Sequence, residues 1–349
     1  MPFSPREGGD PPRPAGPACH GTRWRGVACL VAVAALVAGP SRAADSVYRR
    51  GPASATADPV APPAEAAPVP SPIQSSPAGA ETLADAGQAE RIVAAALAGI
   101  ARAPSISLRV RQLVRVGGRV FKGGGRYVQS GIDEDQRFRF EARLSAESEE
   151  FDILEVCDGL FHWNSRRQGY IAPTTERIDV RRLREKLAAL GLLQRGDTAA
   201  YLGGILEPLA QTREWFRFTS AVAVEIDGVP AWSITGEWDR ERLAALLPDE
   251  AEAIRVAAAI EPARLPEGLP WSVRFSISRK ELFPFRIEWL AVPGPRPAHG
   301  PPEVVGLMEF YDVRIGDPVD AAAFVHRPGT EGLIDITDIA VTYLKPLRP

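Results

Sequence analysis

Strict alternation governs most of this chain. In "QRFRFEARL" (136–144), Phe138, Phe140, Ala142 and Leu144 fall on one side of an extended backbone, and Arg137, Arg139, Glu141 and Arg143 on the other. Successive side chains of a strand point to opposite faces, so a period of two marks a strand buried on one face and wet on the other. The pattern recurs at Leu108, Val110, Val114 and Val116, in "FDILEVC" and "LFHWN", and in "FRFTSAVAVEI", where Phe216, Phe218, Val222, Val224 and Ile226 share a side. It continues through "VPAWSITGEW", "WSVRFSISR", "FPFRIEWL" and "VVGLMEFYDVRI". A chain written this way has to build a large antiparallel sheet with one apolar and one polar face.

The turns agree. Gly117-Gly118, Asp158-Gly159 and Asp227-Gly228 separate alternating runs, and such dipeptides supply the positive φ of tight hairpins. Three glycines in "RVFKGGGRYV" (119–128) fall in mid-strand and mark a bulge or a sharp bend. Helical spacing interrupts the pattern at a few places. "AERIVAAALAGIAR" leads the domain with Ile92, Val93, Leu97 and Ile100 on one stripe. "IDVRRLREKLAALGLL" and "YLGGILEPLAQ" read as two helices, and charged helical pieces occupy 239–259. The expected fold is α+β: a curved antiparallel half-barrel of about ten strands, with helices covering the concave face.

Outside the alternating region the composition changes. Arg23 and Arg25 precede the apolar run "VACLVAVAALVAG" and a small-residue exit at Ser41-Arg42-Ala43, the pattern of a secretory signal peptide over 1–43. The alternative is an uncleaved segment, 27–39, tethering the chain to the inner membrane, although a spanning helix needs about 20 apolar residues. Residues 51–80 contain 8 Pro and 9 Ala, too little apolar surface to offset chain entropy, so 44–80 is expected to be a disordered linker. The folded domain is then 81–349, in the periplasm or cell envelope. Removal of 1–43 would leave Cys157 as the lone thiol, so the domain would hold together by its core and not by disulfides. The net charge of -3, with no basic stripe, excludes nucleic acid as an expected partner.

One stretch concentrates reactive residue types. "EVCDGLFHWN" (155–164) holds Cys157, Asp158, His162 and Trp163. In a tight hairpin Cys157 and His162 could face each other as a dyad, or alternation could put them on opposite faces. The chain has four histidines and no H-E-x-x-H, C-x-x-C or G-x-S-x-G. No catalytic residue, no metal ligand set and no cofactor site is therefore assigned, and Asp158-Gly159 is read as a turn. "DVRRLREK" (179–186) reads as a solvated basic face over a buried stripe, with transient membrane-surface contact or contact with a partner as the other reading. The apolar row is rich in aromatics. It either fills a core or lines a hydrophobic cavity, whose expected lining is Phe138, Phe140, Phe151, Trp163, Phe216, Phe218, Trp232, Trp271, Phe275, Phe285 and Trp289.

The combination of an export signal, a leading helix, a sheet of hairpins and a D-G-x-x-x-W step at 158–163 resembles the LolA-like outer-membrane lipoprotein carriers. Phe138-Arg139-Phe140 matches an aromatic–Arg–aromatic strand of that family. Ile178-Asp179, "GGILEPLAQTREWFRF" (203–218) and "RPGTEGLIDITD" (327–338) resemble a lipoprotein-sorting-like variant group. "DEDQR" stands where a Lys-Pro step commonly precedes the aromatic strand. The resemblance implies a half-barrel closed by helices around a cavity for lipid or lipoprotein acyl chains, with no enzymatic activity. The alternative is an envelope interaction or scaffold module with a filled core and a protein partner.

Overall fold

The structure, a computed structural model, describes residues 83–191, 203–256, 260, 265, 266, 268–291, 303–329 and 332–344. The expected signal peptide and linker lie outside the described residues. Among the described residues the sheet has thirteen strands. They are β1 (Leu83–Ala84), β2 (Ser105–Val116), β3 (Arg119–Ser130), β4 (Arg137–Ala146), β5 (Glu149–Cys157), β6 (Phe161–Gln168) and β7 (Thr174–Asp179), followed by β8 (Phe216–Ile226), β9 (Val229–Trp238), β10 (Ser272–Ser278), β11 (Pro284–Leu290), β12 (Val304–Ile315) and β13 (Leu333–Asp335). Their order across the sheet is β1-β8-β9-β10-β11-β12-β2-β3-β4-β5-β6-β7-β13. All pairs are antiparallel except β13 on β7. The sheet is curved and open, a half-barrel with helices, as the alternation requires. The strands beyond the expected ten are the two short edges, β1 and β13, and β7, whose apolar signal is a single Ile178.

The hairpin turns form where the sequence placed them. Gly117 and Gly118 both have positive φ (54° and 75°), as do Asp227 and Gly228 (51° and 79°). Asp158 makes an Asx turn, its Oδ1 accepting from the backbone N–H of Leu160 (2.8 Å) and of Phe161 (2.7 Å).

Among the described residues six helices accompany the sheet: α1 (Ala86–Arg102), α2 (Val180–Ala189), α3 (Leu206–Trp215), α4 (Arg240–Leu246), α5 (Ala251–Val256) and α6 (Thr337–Leu344). Asp85, Asp179 and Asp239 cap α1, α2 and α4 by accepting from the third residue onward. Asp179 therefore ends β7 and starts α2, so the expected helix over 178–193 begins later, at Val180.

α1 lies across the inner face and is tied at both ends. Its Glu90 accepts from Phe218 N on β8 (3.1 Å), and Gln129 Nε2 on β3 donates to the Ile100 and Ala103 carbonyls. Ala89, Val93, Ala96, Leu97 and Ile100 of α1 belong to the single inner core, with Val180, Leu183 and Leu187 of α2 and Leu206, Leu209 and Trp215 of α3. Among the described residues no helix is long and apolar enough to cross a membrane.

Two irregularities correct the faces read from the sequence. Thr219 is bulged between Phe218↔Gly236 and Ser220↔Thr235. Beyond it Ala221 and Ala223 stand opposite the inner residues Ile234 and Trp232, so Val222 and Val224 turn to the other face from Phe216 and Phe218. Phe285 is the extra residue where Ile277 pairs with Pro284, which takes it out of register with Ile287 and Trp289.

Candidate functional site

The glycines of β3 set the shape of the inner face. The β3 register runs unbroken against both β2 and β4, so "GGG" is a bend and not a bulge. A Cβ on Gly123 would stand 1.8 Å from the Arg143 carbonyl oxygen, and one on Gly125 1.8 Å from that of Glu141. The backbone of β4 thus occupies the space where inner side chains of β3 would project. The sheet creases there.

At the far side of the crease the inner row of β3 continues with Tyr127 and Gln129, β4 with Phe138 and Phe140, β5 with Phe151, Ile153, Glu155 and Cys157, and β6 with His162 and Asn164. A carboxylate thus stands in an aromatic row. Glu155 Oε2 accepts from the backbone N–H of Gly204 (2.9 Å), just before α3. Gly203 and Gly204 have φ of 110° and 67°. A Cβ on Gly203 would lie 2.8 Å from Glu155 Oε2 and 3.0 Å from His162 Nε2, and one on Gly204 3.0 Å from the Tyr127 ring. The Gly203-Gly204 corner is therefore seated in a socket walled by Tyr127, Phe138, Glu155 and His162.

The socket is polar and largely buried, with Glu155 partly exposed. His162 is 6% exposed, and neither ring nitrogen has a hydrogen-bond partner. Its ring lies 5.7 Å from that of Phe138. Burial, with the nearby Arg166 guanidinium, lowers the His162 pKa to about 4. Burial raises Glu155, against the opposing pull of the Gly204 N–H and of Arg166. It also raises Tyr127, whose hydroxyl donates to Gln129 Oε1 (2.9 Å).

Cys157 and His162 do face each other in register. The thiol, however, contacts the Gln136 carbonyl (3.9 Å), and burial pushes it up to about 11. An activated cysteine needs its thiolate stabilised, commonly by an imidazolium. Here desolvation holds both groups neutral, the opposite shifts. Among the described residues no group of three or more His, Cys, Asp or Glu side chains is placed to hold a metal ion.

The expected lining residues do not form one set. Phe138, Phe140, Phe151, Phe216, Phe218, Phe275 and Trp289 join the inner core, and Trp232 packs on its margin, partly exposed beneath the Arg279 guanidinium (5.0 Å). Phe138, Phe151, Phe216, Phe218 and Phe275 are at most 2% exposed, so protein surrounds them in this conformation. Trp271 and Phe285 are half-buried and outside the core. Trp163 is on the opposite face: it pairs with Val156, one residue out of step with the inner Cys157–His162 pair. There it is covered by the C-terminal segment, with the His326 ring 5.8 Å away and Arg177 over its indole at 5.9 Å.

Across β10, β11, β12 and β2 the outer face carries an ion lattice. Arg274, Glu288, Arg286, Glu309 and Arg111 alternate in sign across β10, β11, β12 and β2 at 3.0 to 3.5 Å. The basic face of α2 is engaged too: Arg182 (2.7 Å) and Lys186 both meet Asp338 of α6, and Arg184 donates to the Glu134 carbonyl (3.0 Å).

Sequence reading missed Tyr127, Glu155, Gly203 and Gly204. The signal for Glu155 was its parity: Phe151, Ile153, Glu155 and Cys157 share a side, and a carboxylate breaks that apolar row. The pairing of Gly203-Gly204 with it is a tertiary contact that no local pattern carries.

No protein-family model matches the chain, and no curated protein has significant sequence similarity to it. Solved structures overlay it loosely. A chain of the Pseudomonas aeruginosa MucA/MucB complex matches over 68% of this chain at 11% identity and a TM-score of 0.30, and only 61% of that chain's own length is spanned. A putative outer membrane lipoprotein-sorting protein domain from Vibrio parahaemolyticus matches over 69% of this chain and 97% of its own, at 8% identity and 0.28. The Mycobacterium tuberculosis lipoprotein LppX matches over 67% and 98%, at 10% identity and 0.27. The fold described above stands on its own strand order and register.

Proposed function

We propose that this chain is an exported, non-enzymatic binder of acyl chains, from lipid or lipoprotein, which it takes up in the envelope against its inner face. The observation that carries the reading is one continuous aromatic interior in a sheet that stays open, with the leading corner of its α3 cover resting on a buried-row carboxylate. The basic-flanked apolar run near residue 30 supports export.

Magnitudes suit reversible exchange. Each methylene removed from water contributes about 0.8 kcal/mol, so ten of them give roughly 8 kcal/mol. Lifting α3 uncovers Leu206, Leu209 and Trp215, at about 2 kcal/mol each, roughly 6 kcal/mol in all. Chain for helix is then a near-balanced trade, so cargo could be both held and released.

The test is extraction and mass spectrometry of lipid from natively purified protein, with titration of a fluorescent acyl probe. Retained lipid or saturable uptake is expected. An absence of both would leave a filled interior, and with it the scaffold reading, in which the outer ion lattice meets a protein partner.

A further inference from the structure

The Gly203-Gly204 corner fills a site that looks built for something else. A hairpin of apolar strands needs no carboxylate, yet Glu155 stands in the aromatic row, its oxygen used by one backbone amide. Beside it His162, 6% exposed, keeps both nitrogens without partners although its Nε2 faces the corner. Unpartnered buried polar groups are costly and rare in native interiors. The corner fits because it has no side chains: either Cβ would come within 3.0 Å of a socket wall.

We propose that Tyr127, Glu155 and His162 form a recognition site for an amide N–H at the head of an acyl chain, and that Gly203-Gly204 occupies it as a self-plug until cargo displaces α3. The proposal rests on the acyl-binding reading above and names the head group that this interior selects. The Gly204 N–H on Glu155 Oε2 mimics the incoming amide. His162 supplies a further acceptor or donor that the plug leaves unused. Phe138 and Phe140, on the same face, receive the first methylenes of the chain. A site arranged to accept a hydrogen bond discriminates strongly against an analogue that lacks the donor.

The experiment uses the full chain and two dansyl-labelled hexadecanoyl probes that differ in one atom pair, an amide N–H or an ester oxygen at the head. Native protein is expected to bind the amide about tenfold more tightly than the ester. Glu155→Leu is expected to bind both equally, at about the affinity of the ester. Gly203→Ala, with its plug forced out, is expected to take up the amide faster. As a readout independent of any substitution, the ¹⁵N ring signals of His162 should move on addition of the amide and stay in place with the ester. Equal binding of both probes by native protein, or preference retained in Glu155→Leu, overturns the recognition site while leaving acyl binding intact. Uptake of neither probe overturns both.

Discussion

A Cβ on Gly125 would sit 1.8 Å from the Glu141 carbonyl oxygen and 2.8 Å from the Ala142 Cα, contacts that backbone atoms have no room to relieve. Gly125→Ala therefore has to flatten the crease between β3 and β4 or break the ladder. Its cost is expected to exceed about 4 kcal/mol, the range of severe core damage. Gly99 makes the contrast: it lies inside α1 with nothing within 4 Å of its Cβ position, so Gly99→Ala should stabilise by about 0.5–1 kcal/mol through helix propensity. Urea melts of the two variants check both signs.

His162 gives a second expectation at this scale. Its folded pKa, about 4, lies below the ordinary 6.5, so between those values the unfolded chain binds the extra proton. Stability from this group is complete above pH 6.5 and falls as pH drops to about 4, by roughly 3 kcal/mol for a shift of this size. Native protein should lose stability relative to His162→Phe as pH falls across that window, whichever is the more stable at neutral pH; parallel curves would refute it.

Among the elements, those with strong local rules were legible. β4 alternates without fault from Arg137 to Ala146, and α1 carries its stripe and its Asp85 cap. Elements defined by a partner were not. β7 reads "TTERID" and β13 "LID", too short or too polar to announce themselves, and each becomes a strand because a neighbour lies alongside, β6 for β7 and β7 for β13. The bulge at Thr219 also has no sequence mark, yet it reverses the face of every residue after it. For the same reason Trp163 was misplaced: the loop at Asp158–Leu160 fixes its parity through the pairing of Cys157 with His162.

The β13–α6 unit is fastened by Asp335. It accepts from Arg177 (2.6 Å) and from the Thr337 backbone and hydroxyl. Burial pushes its carboxyl up, but these bonds outweigh it and bring the pKa to about 2. The folded value is depressed, so the fastening is present above the ordinary range near pH 4 and is lost as pH falls toward 2. Hydrogen exchange at the Ala340 amide, which donates to the Ile336 carbonyl (2.8 Å), should speed up over that interval ahead of exchange in β4. Asp335→Asn should show the faster exchange already at neutral pH.

At the scale of the molecule, the acyl-binding proposal assigns the two faces of one sheet separate duties, and this separation can be tested by substitution. Met308 lies on the inner face, opposite Gln112 and Ile287, and packs on the core while remaining partly exposed. A carboxylate there meets solvent at the margin, so Met308→Glu should fold, yet it would oppose an acyl chain lying along the same surface. Probe affinity is expected to fall about tenfold or more, since an unpaired charge desolvated by the chain costs at least 1–3 kcal/mol. Trp163 belongs to the small outer cluster beneath His326. Trp163→Ala should lose about 3 kcal/mol of stability to the hole it leaves, with the folded fraction binding the probe as native protein does. The opposite result, uptake unchanged in Met308→Glu and abolished in folded Trp163→Ala, would move cargo to the outer face. There the ion lattice offers a row of alternating charges and little apolar surface, a surface suited to a protein partner and not to an acyl chain.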